Sequence, residues 1–275
     1  MQGTILGLLA ETHIHPGAGQ SEGAVDLPVA REKTTDYPFV PGSGVKGAMR
    51  DLAERQFNDG TVERIYGRPD GAGELLLSDA KLLLLPVRCL SRCYLWLTCP
   101  HLIERFQRDR QRVTQQAPEK FDFGALATGD PPPILCAGTT EEKLFLEERL
   151  FTRKGDLPNG LVELVSPLVG HEEAKTRLPE QLAVVTNDDF AWFARYALPV
   201  HAHNVLDENK TSKNLWYEET LAPDTLFYSV ALFRNGSAEQ HIEGLFFTGN
   251  GRPYLQLGGN ETVGQGWFRV TRVRS

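Results

Sequence analysis

The sequence predicts an α+β fold in a single large domain, and three observations carry that prediction. Short apolar runs rich in β-formers alternate irregularly with helical patterns that put apolar residues on one face. No composition break or fixed-period repeat divides the 275 residues, a length that buries a sizeable core. Two polar stretches, about 12–38 and 201–218, lack the apolar anchors of the rest and read as insertions.

Taken in order, 4–10 is an uninterrupted apolar run of strand length. The stretch 12–38 follows as a long polar loop broken by Pro16, Gly17, Gly19, Gly23 and Pro28. A structureless loop of that length inside a domain is usually functional. Ser43 is placed to cap a helix with Val45, Ala48, Met49 and Leu52 on one face, running to about Asn58. The runs 74–85 and 93–98 are core strands, and Pro100 opens a helix with Leu102, Ile103 and Phe106 inward. Proline and glycine make 121–138 irregular, while 143–151 and 182–185 are strand candidates. Thr186 opens a helix with Phe190, Phe193, Ala194 and Ala197 inward, closed by Pro199. The runs 201–205 and 214–218 flank a polar turn and predict a hairpin that projects rather than packs. Strands at 225–233, 255–257 and 267–273 complete the chain.

The formal net charge is −7, from 29 Lys and Arg against 36 Asp and Glu. That balance argues against a protein that coats nucleic acid indiscriminately, but leaves room for a local groove, since cations concentrate in 31–55 and 105–112. Four cysteines are too few for a disulfide framework in a chain this long. Cys89 and Cys93 have the spacing of half a zinc site with no second pair, so reduced thiols are expected. No apolar run approaches the ~20 residues of a membrane span, and the first residues lack the features of a signal peptide. The expected location is cytoplasmic, with no membrane partner.

Chemistry concentrates in 39–54, FVPGSGVKGAMRDLAE, where a glycine- and serine-rich turn feeds a helix carrying Lys46 and Arg50. Backbone N–H groups at a helix start, with a cation on successive turns, suit the phosphate of a nucleotide or of a nucleic acid. The run from Gly42 to Gly47 matches G-x-G-x-x-G, yet Pro38 and Pro41 stand where a dinucleotide site needs a strand. A capped structural helix and a mononucleotide site stay open. A second glycine cluster, LGGNETVGQGW at 257–267, is either a long tight turn or a loop pressed against the first motif to line a polyanion groove.

The 12–38 loop carries His13, His15, Glu22, Asp26, Arg31 and Glu32. RNA cleavage by 2′-hydroxyl attack needs in-line geometry, a proton acceptor or metal ligand, and cations at the phosphate, which such a set supplies. A lone Asp in a polar loop is nonetheless more often a turn residue. His13 and His15, pointing the same way on a strand, suggest metal, with no partner fixed by spacing. Tyr217, Glu218 and Glu219 set two acids beside aromatic residues, or are simply a hairpin strand emerging at the surface.

In this order, HPGAGQSEGAVDLPVARE, YPFVPGSGVKGAMRD, LLSDAKLLLLPVR, LWLTCPHLIERFQRD, NLWYEETLAPDTLFYS and LGGNETVGQGWFRV resemble one family. It is the RNA-cleaving backbone subunit of type III-B CRISPR effectors, the fourth Cmr subunit, within the RAMP superfamily. The resemblance spans nearly the whole chain; the glycine motifs belong to the superfamily, the DLP, TCP–RFQRD and WYEE–LAPDT–LFYS segments to this branch. It implies a single RAMP-type domain with an RRM-like (ferredoxin-like) core, an inserted catalytic loop and a projecting thumb β-hairpin at 201–218. It further implies copies stacked as a filament along a guide crRNA beside other Cmr subunits. Target RNA would be cut at regular intervals where thumbs splay the duplex, in antiviral defence.

By motif, Asp26 of GAVDLP matches the family's cleaving aspartate and metal position, and His15 lies in the matching region. Tyr217, Glu218 and Glu219 are the available matches to an acid and a tyrosine near the thumb. Lys46 and Arg50 match the guide-binding helix, and Gly42, Ser43, Gly258 and Gly259 the flanking glycine loops. The implied cleavage uses Mg²⁺ or Mn²⁺ and leaves a cyclic phosphate. One departure is the hairpin sequence HAHNVLDENKTSKN, which lacks the arginine expected near its start. Competing functions are a non-catalytic crRNA-binding scaffold, a metal-independent crRNA-processing RAMP endonuclease, and a nucleotide-binding enzyme.

Overall fold

The computed structural model describes residues 2–21, 23–127, 129–249 and 251–273, so Glu22 of the loop lies outside the described residues. Strand Gln2–Ala10 pairs antiparallel with Leu226–Phe233 on one side and Trp267–Val273 on the other. Leu226–Phe233 pairs in turn with Ala80–Arg88. Helix Gly42–Glu54 lies in the connection from the first of these strands to Ala80–Arg88, and helix Gly236–Phe246 connects Leu226–Phe233 towards Trp267–Val273. With the four strands in spatial order fourth, first, third, second, this is the ferredoxin-like β-α-β-β-α-β core that the resemblance implied.

Strand Gln2–Ala10 is apolar without alternation because both its faces are covered; from Thr4 onward every residue is buried. Gly7 is part of the reason. A Cβ there would come within 2.6 Å of the Leu168 carbonyl oxygen, so only glycine lets the 166–168 turn close onto the strand.

The long connection from Ala80–Arg88 to Leu226–Phe233 builds a second wing on the same sheet. Ala80–Arg88 runs past the core to pair with Tyr94–Thr98, followed by Leu182–Val185, Pro133–Cys136, Arg149–Gly155 and Lys143–Leu146. Helix Pro100–Thr114 buries Leu102, Ile103 and Phe106 as its periodicity predicts. Its Asp109, also buried, accepts hydrogen bonds from Lys81 Nζ at 2.6 Å and the Tyr228 hydroxyl at 2.9 Å, tying the wing to the core sheet. A buried carboxylate held this way is compensated on both counts, charge and hydrogen bonding.

Several boundaries differ from expectation, each for a local reason. Helix Gly42–Glu54 starts after Pro41 with no side-chain cap, so Ser43 sits inside the first turn. It ends at Glu54 rather than Asn58, because the Asn58 side chain caps a separate helix, Asp59–Tyr66. The run 74–85 splits into Leu75–Leu77 and Ala80–Arg88, and 143–151 folds as a hairpin. The proline-rich 121–138 contains the fully buried strand Pro133–Cys136, with proline at its first position, where a missing N–H is tolerated. All four cysteines are free. Among the described residues no helix is long and apolar enough to cross a membrane.

Candidate active site and nucleic-acid interface

Strands Val200–Leu206 and Ser212–Glu219 form a hairpin separate from the main sheet, exposed over most of its length and buried only at Glu218 and Glu219. The 12–38 loop, which the sequence reads as lacking apolar anchors, is held by the buried side chains of Ile14, Val29 and Tyr37 and by backbone hydrogen bonds. Ala18 N donates to Pro28 O at 3.2 Å and Ala30 N to Pro16 O at 2.7 Å, folding the loop into a narrow ribbon. Leu27 N then donates to Tyr217 O at 3.1 Å and Glu219 N to Leu27 O at 3.0 Å. Leu27 thereby extends the hairpin by one parallel bridge at the open edge of Ser212–Glu219.

Asp26 stands at that junction. Its Oδ2 accepts a hydrogen bond from the Tyr217 backbone N–H at 2.8 Å, which closes the edge and fixes the carboxylate. Oδ1 has no partner among the described residues. Asp26 lines an open cavity of about 420 Å³ together with Gln20, Ser21, Leu27, Asn214, Leu215 and Trp216. One oxygen held and one oxygen offered is the geometry of a carboxylate available to a ligand.

The other predicted residues take different parts. Glu219 is buried with both carboxylate oxygens committed: Arg31 donates to Oε1 at 2.7 Å and Val29 N to Oε2 at 3.1 Å. Arg31 also donates to the carbonyls of Asp36 and Ala194, so one ion pair joins the loop, the hairpin base and helix Asn187–Tyr196. Glu218, on the opposite face of the strand, accepts from Asn260 Nδ2 at 2.6 Å and lies 3.8 Å from His203 Nε2. The Tyr217 side chain is exposed, and its role at Asp26 runs through its backbone N–H. The His15 ring is buried and hydrogen-bonds the Glu219 carbonyl through Nδ1 at 2.8 Å.

His13 and His15 do not form a metal pair. The His13 ring meets the edge of His201 at 5.0 Å, and its pKa is lowered by burial and then by His201. Among the described residues no three His, Cys, Asp or Glu side chains converge to hold a metal ion. The second glycine cluster meets both the loop and the helix of the first motif: Glu261 and Trp267 line one cavity with Gly47, Ala48 and Asp51. Gly258 has φ +88°, and a Cβ on it would lie 2.7 Å from the His15 carbonyl oxygen, while Gly259 N donates to that same oxygen at 3.1 Å. Within the cluster, Gly258 and Gly259 support the root of the Asp26 loop.

The Gly42 motif lines a different site. Gly42, Ser43, Lys46, Arg50, Arg68 and Arg234 surround an open cleft of about 590 Å³. Gly42 N already donates to Asp79 Oδ1 at 2.7 Å, so the helix start is not free to hold an anion through that group. Lys46 has no partner among the described residues, and its pKa is lowered by burial, then by Arg234 and Arg50. A cation unsettled by its neighbours is short of a counter-charge. Arg50 is partly engaged, by Glu54 at 2.8 Å and the Gly67 carbonyl at 3.1 Å. Arg68 and Arg234 were not anticipated: both are distant in sequence from the motif, and no spacing pattern announces them.

The family model described as the RAMP superfamily matches residues 8–269. The chain belongs to the RAMP superfamily. Over 98% of its length this RAMP chain is 30% identical to the CRISPR system Cmr endoribonuclease Cmr4 of Pyrococcus furiosus, with 96% of that relative covered. The crystal structure of oligomeric Cmr4 from Pyrococcus furiosus superposes with a TM-score of 0.75 at 25% identity, each chain covered in full. A cryo-EM structure of the type III-B Cmr-beta complex bound to cognate target RNA contains a chain with the same fold, at a TM-score of 0.76 and 22% identity, over 99% of this chain and 97% of that one. A segment covering 20% of the chain is 37% identical to the Csm3 endoribonuclease of the Cms system of Streptococcus thermophilus. The RAMP fold and the full-length match to Cmr4 fall where the sequence motifs placed them.

Proposed function

We propose that this chain is a guide-binding backbone subunit of a type III-B CRISPR effector, and that it cuts target RNA at Asp26. The observation that carries the reading is the fixed carboxylate: Tyr217 N–H holds Oδ2, and Asp26 lines an open cavity. Full-length similarity to an endoribonuclease named Cmr4 supports the activity, and the oligomeric crystal structure of that relative supports stacking of copies. An acidic chain with one basic cleft suits a subunit whose other faces meet protein.

In the cleavage step Asp26 Oδ1 takes the proton of a ribose 2′-hydroxyl. The 2′-oxygen forms a bond to the adjacent phosphorus, the bond from phosphorus to the 5′-oxygen breaks, and solvent protonates the departing 5′-oxygen. The products are a 2′,3′-cyclic phosphate and a 5′-hydroxyl. The Glu219–Arg31 pair keeps the loop seated so that Asp26 stays on the hairpin edge. A single carboxylate in an open polar cavity does not cage a cation, but it fits Mg²⁺ or Mn²⁺ shared with RNA phosphates and water. Such an ion, held by Asp26, would offset charge developing on the phosphate. Lys46, Arg50, Arg68 and Arg234 hold guide phosphates in the basic cleft, reading backbone while base pairing reads sequence.

The test is target cleavage by the reconstituted complex with guide RNA and Mg²⁺ or Mn²⁺, comparing wild type with Asp26→Asn. Regularly spaced products from the wild type alone, with equal assembly, are expected. Equal cleavage by both would overturn the assignment, and target binding without products from either would make the chain a scaffold.

A further inference from the structure

Building on the cleavage reading, we propose that the cavity beside Asp26 is a subsite for one target nucleotide. Its base stacks on Trp216 and its edge is read by the side-chain amides of Gln20 and Asn214. The volume of about 420 Å³ lies within the range of small-ligand sites. Trp216, Leu27 and Leu215 line it together with the polar residues Gln20, Ser21, Asp26 and Asn214. Among the described residues neither side-chain amide has a hydrogen-bond partner, nor does the Trp216 indole N–H. Gln20 and Asn214 are exposed, so these groups face solvent and are able to exchange water for a ligand.

Trp216 is also held in place. The His203 ring lies almost parallel to it, at 14° and 5.4 Å between centroids. His203 faces the buried Glu218, which Asn260 fixes from the glycine-rich loop. An aromatic residue backed by a second ring at the wall of an open cavity offers a stacking surface, and every base has a π-face for it.

The chemistry explains why a nucleotide would be there. A stacked A-form strand does not present the 2′-oxygen in line with its own phosphate, so the reacting nucleotide has to leave the stack. Once extruded, its edge is exposed, which it is not inside the deep groove of an RNA-like duplex. Amide side chains carry donor and acceptor together and discriminate between base edges. This subsite makes cleavage depend on the identity of the nucleotide that supplies the 2′-hydroxyl, although guide pairing alone sets target affinity.

The experiment is single-turnover cleavage at one site by the reconstituted complex. Four targets carry each base in turn 5′ of the scissile phosphate, each with a matched guide, and Asp26→Asn serves as the control. Wild-type rates should differ among the four bases by roughly five- to a hundredfold, the range of a good amide–base contact. Asn214→Ala and Gln20→Ala should flatten that spread. Trp216→Ala should slow all four targets by a similar factor and Trp216→Phe should recover most of the loss. Cleavage that needs Asp26 but runs at one rate for all bases, unmoved by Asn214→Ala, would overturn the subsite and leave the cleavage reading standing. Cleavage that survives Asp26→Asn would overturn the reading itself. Asn214 is exposed, so its variant keeps the test informative if Trp216→Ala fails to assemble.

Discussion

The corner at Asp26 and the cleft at Lys46 are made by opposite means. The corner joins loop and hairpin residues far apart in the chain through backbone hydrogen bonds and one buried ion pair, and among the described residues it leaves a single carboxylate oxygen free. The cleft gathers four cations around an open volume and, among the described residues, leaves Lys46 without a partner. Chemistry demands position, which rigid backbone supplies; a polyanion needs charge within reach, which flexible side chains supply. The two sites should therefore fail differently when disturbed.

The largest effect is expected from Asp26→Ala. Cleavage should fall by roughly a hundredfold or more, on the scale of losing a proton-transferring group, while guide affinity and its salt dependence stay as in wild type. Filter binding of guide RNA beside product gels would show the split, and a parallel loss of both would erase the distinction drawn above. Next comes Arg31→Ala, which strands Glu219 as a buried charge and should cost about 3–5 kcal/mol of stability. Denaturant midpoints should fall together with cleavage, because the clamp and the position of Asp26 are one structure. An unchanged midpoint would mean that the loop is held without that ion pair.

A pH dependence belongs to the cleft side. His241 is buried against Phe57 and hydrogen-bonds the Tyr66 hydroxyl at 3.1 Å, and Tyr66 lines the cleft. Burial first, then Arg64, lowers its pKa from 6.5 to about 4. The unfolded chain therefore takes up a proton before the folded one does. Stability is full above pH 6.5 and declines as pH falls towards about 4, by on the order of 3 kcal/mol across the window. Urea unfolding at pH 7 and pH 5 should show the loss in wild type and a reduced loss in His241→Gln; equal losses would remove His241 as the cause. The smallest effect is expected from Lys46→Ala or Arg234→Ala, each weakening guide binding and lowering the salt slope by about one unit. A slope unchanged in both would place the guide elsewhere.

What the sequence disclosed divides along similar lines. An unbroken apolar run located strand Gln2–Ala10 and apolar periodicity located helix Pro100–Thr114, because burial leaves its mark on residue type, while the hairpin stood out by the absence of that mark. The ribbon within 12–38 left no such mark: its bonds run from Ala18, Leu27 and Ala30 N–H groups to carbonyls, and any residue type can make them. Asp26 was legible only as part of a motif resembling a family, since its bond to Tyr217 N–H has no sequence signature. The helix Gly236–Phe246 was missed because glycines at 236 and 244 weaken its pattern, although Asn235 caps it. Gly258 was picked out correctly as a close-approach residue, but its partner, the His15 carbonyl, is decided by the fold.

The seal that Leu27 places on the hairpin has a consequence for growth. A β-ribbon ordinarily offers two edges to an incoming strand. Here Leu27 occupies one side of the Ser212–Glu219 strand near its base. Among the described residues, Val200–Leu206 on the far side has no strand partner beyond its own hairpin. At the level of Asp26, a chain that joins this ribbon by backbone pairing can come only from the Val200 side. Addition at that level is thus one-sided, and a series of copies joined that way would have a direction, with a head distinct from its tail.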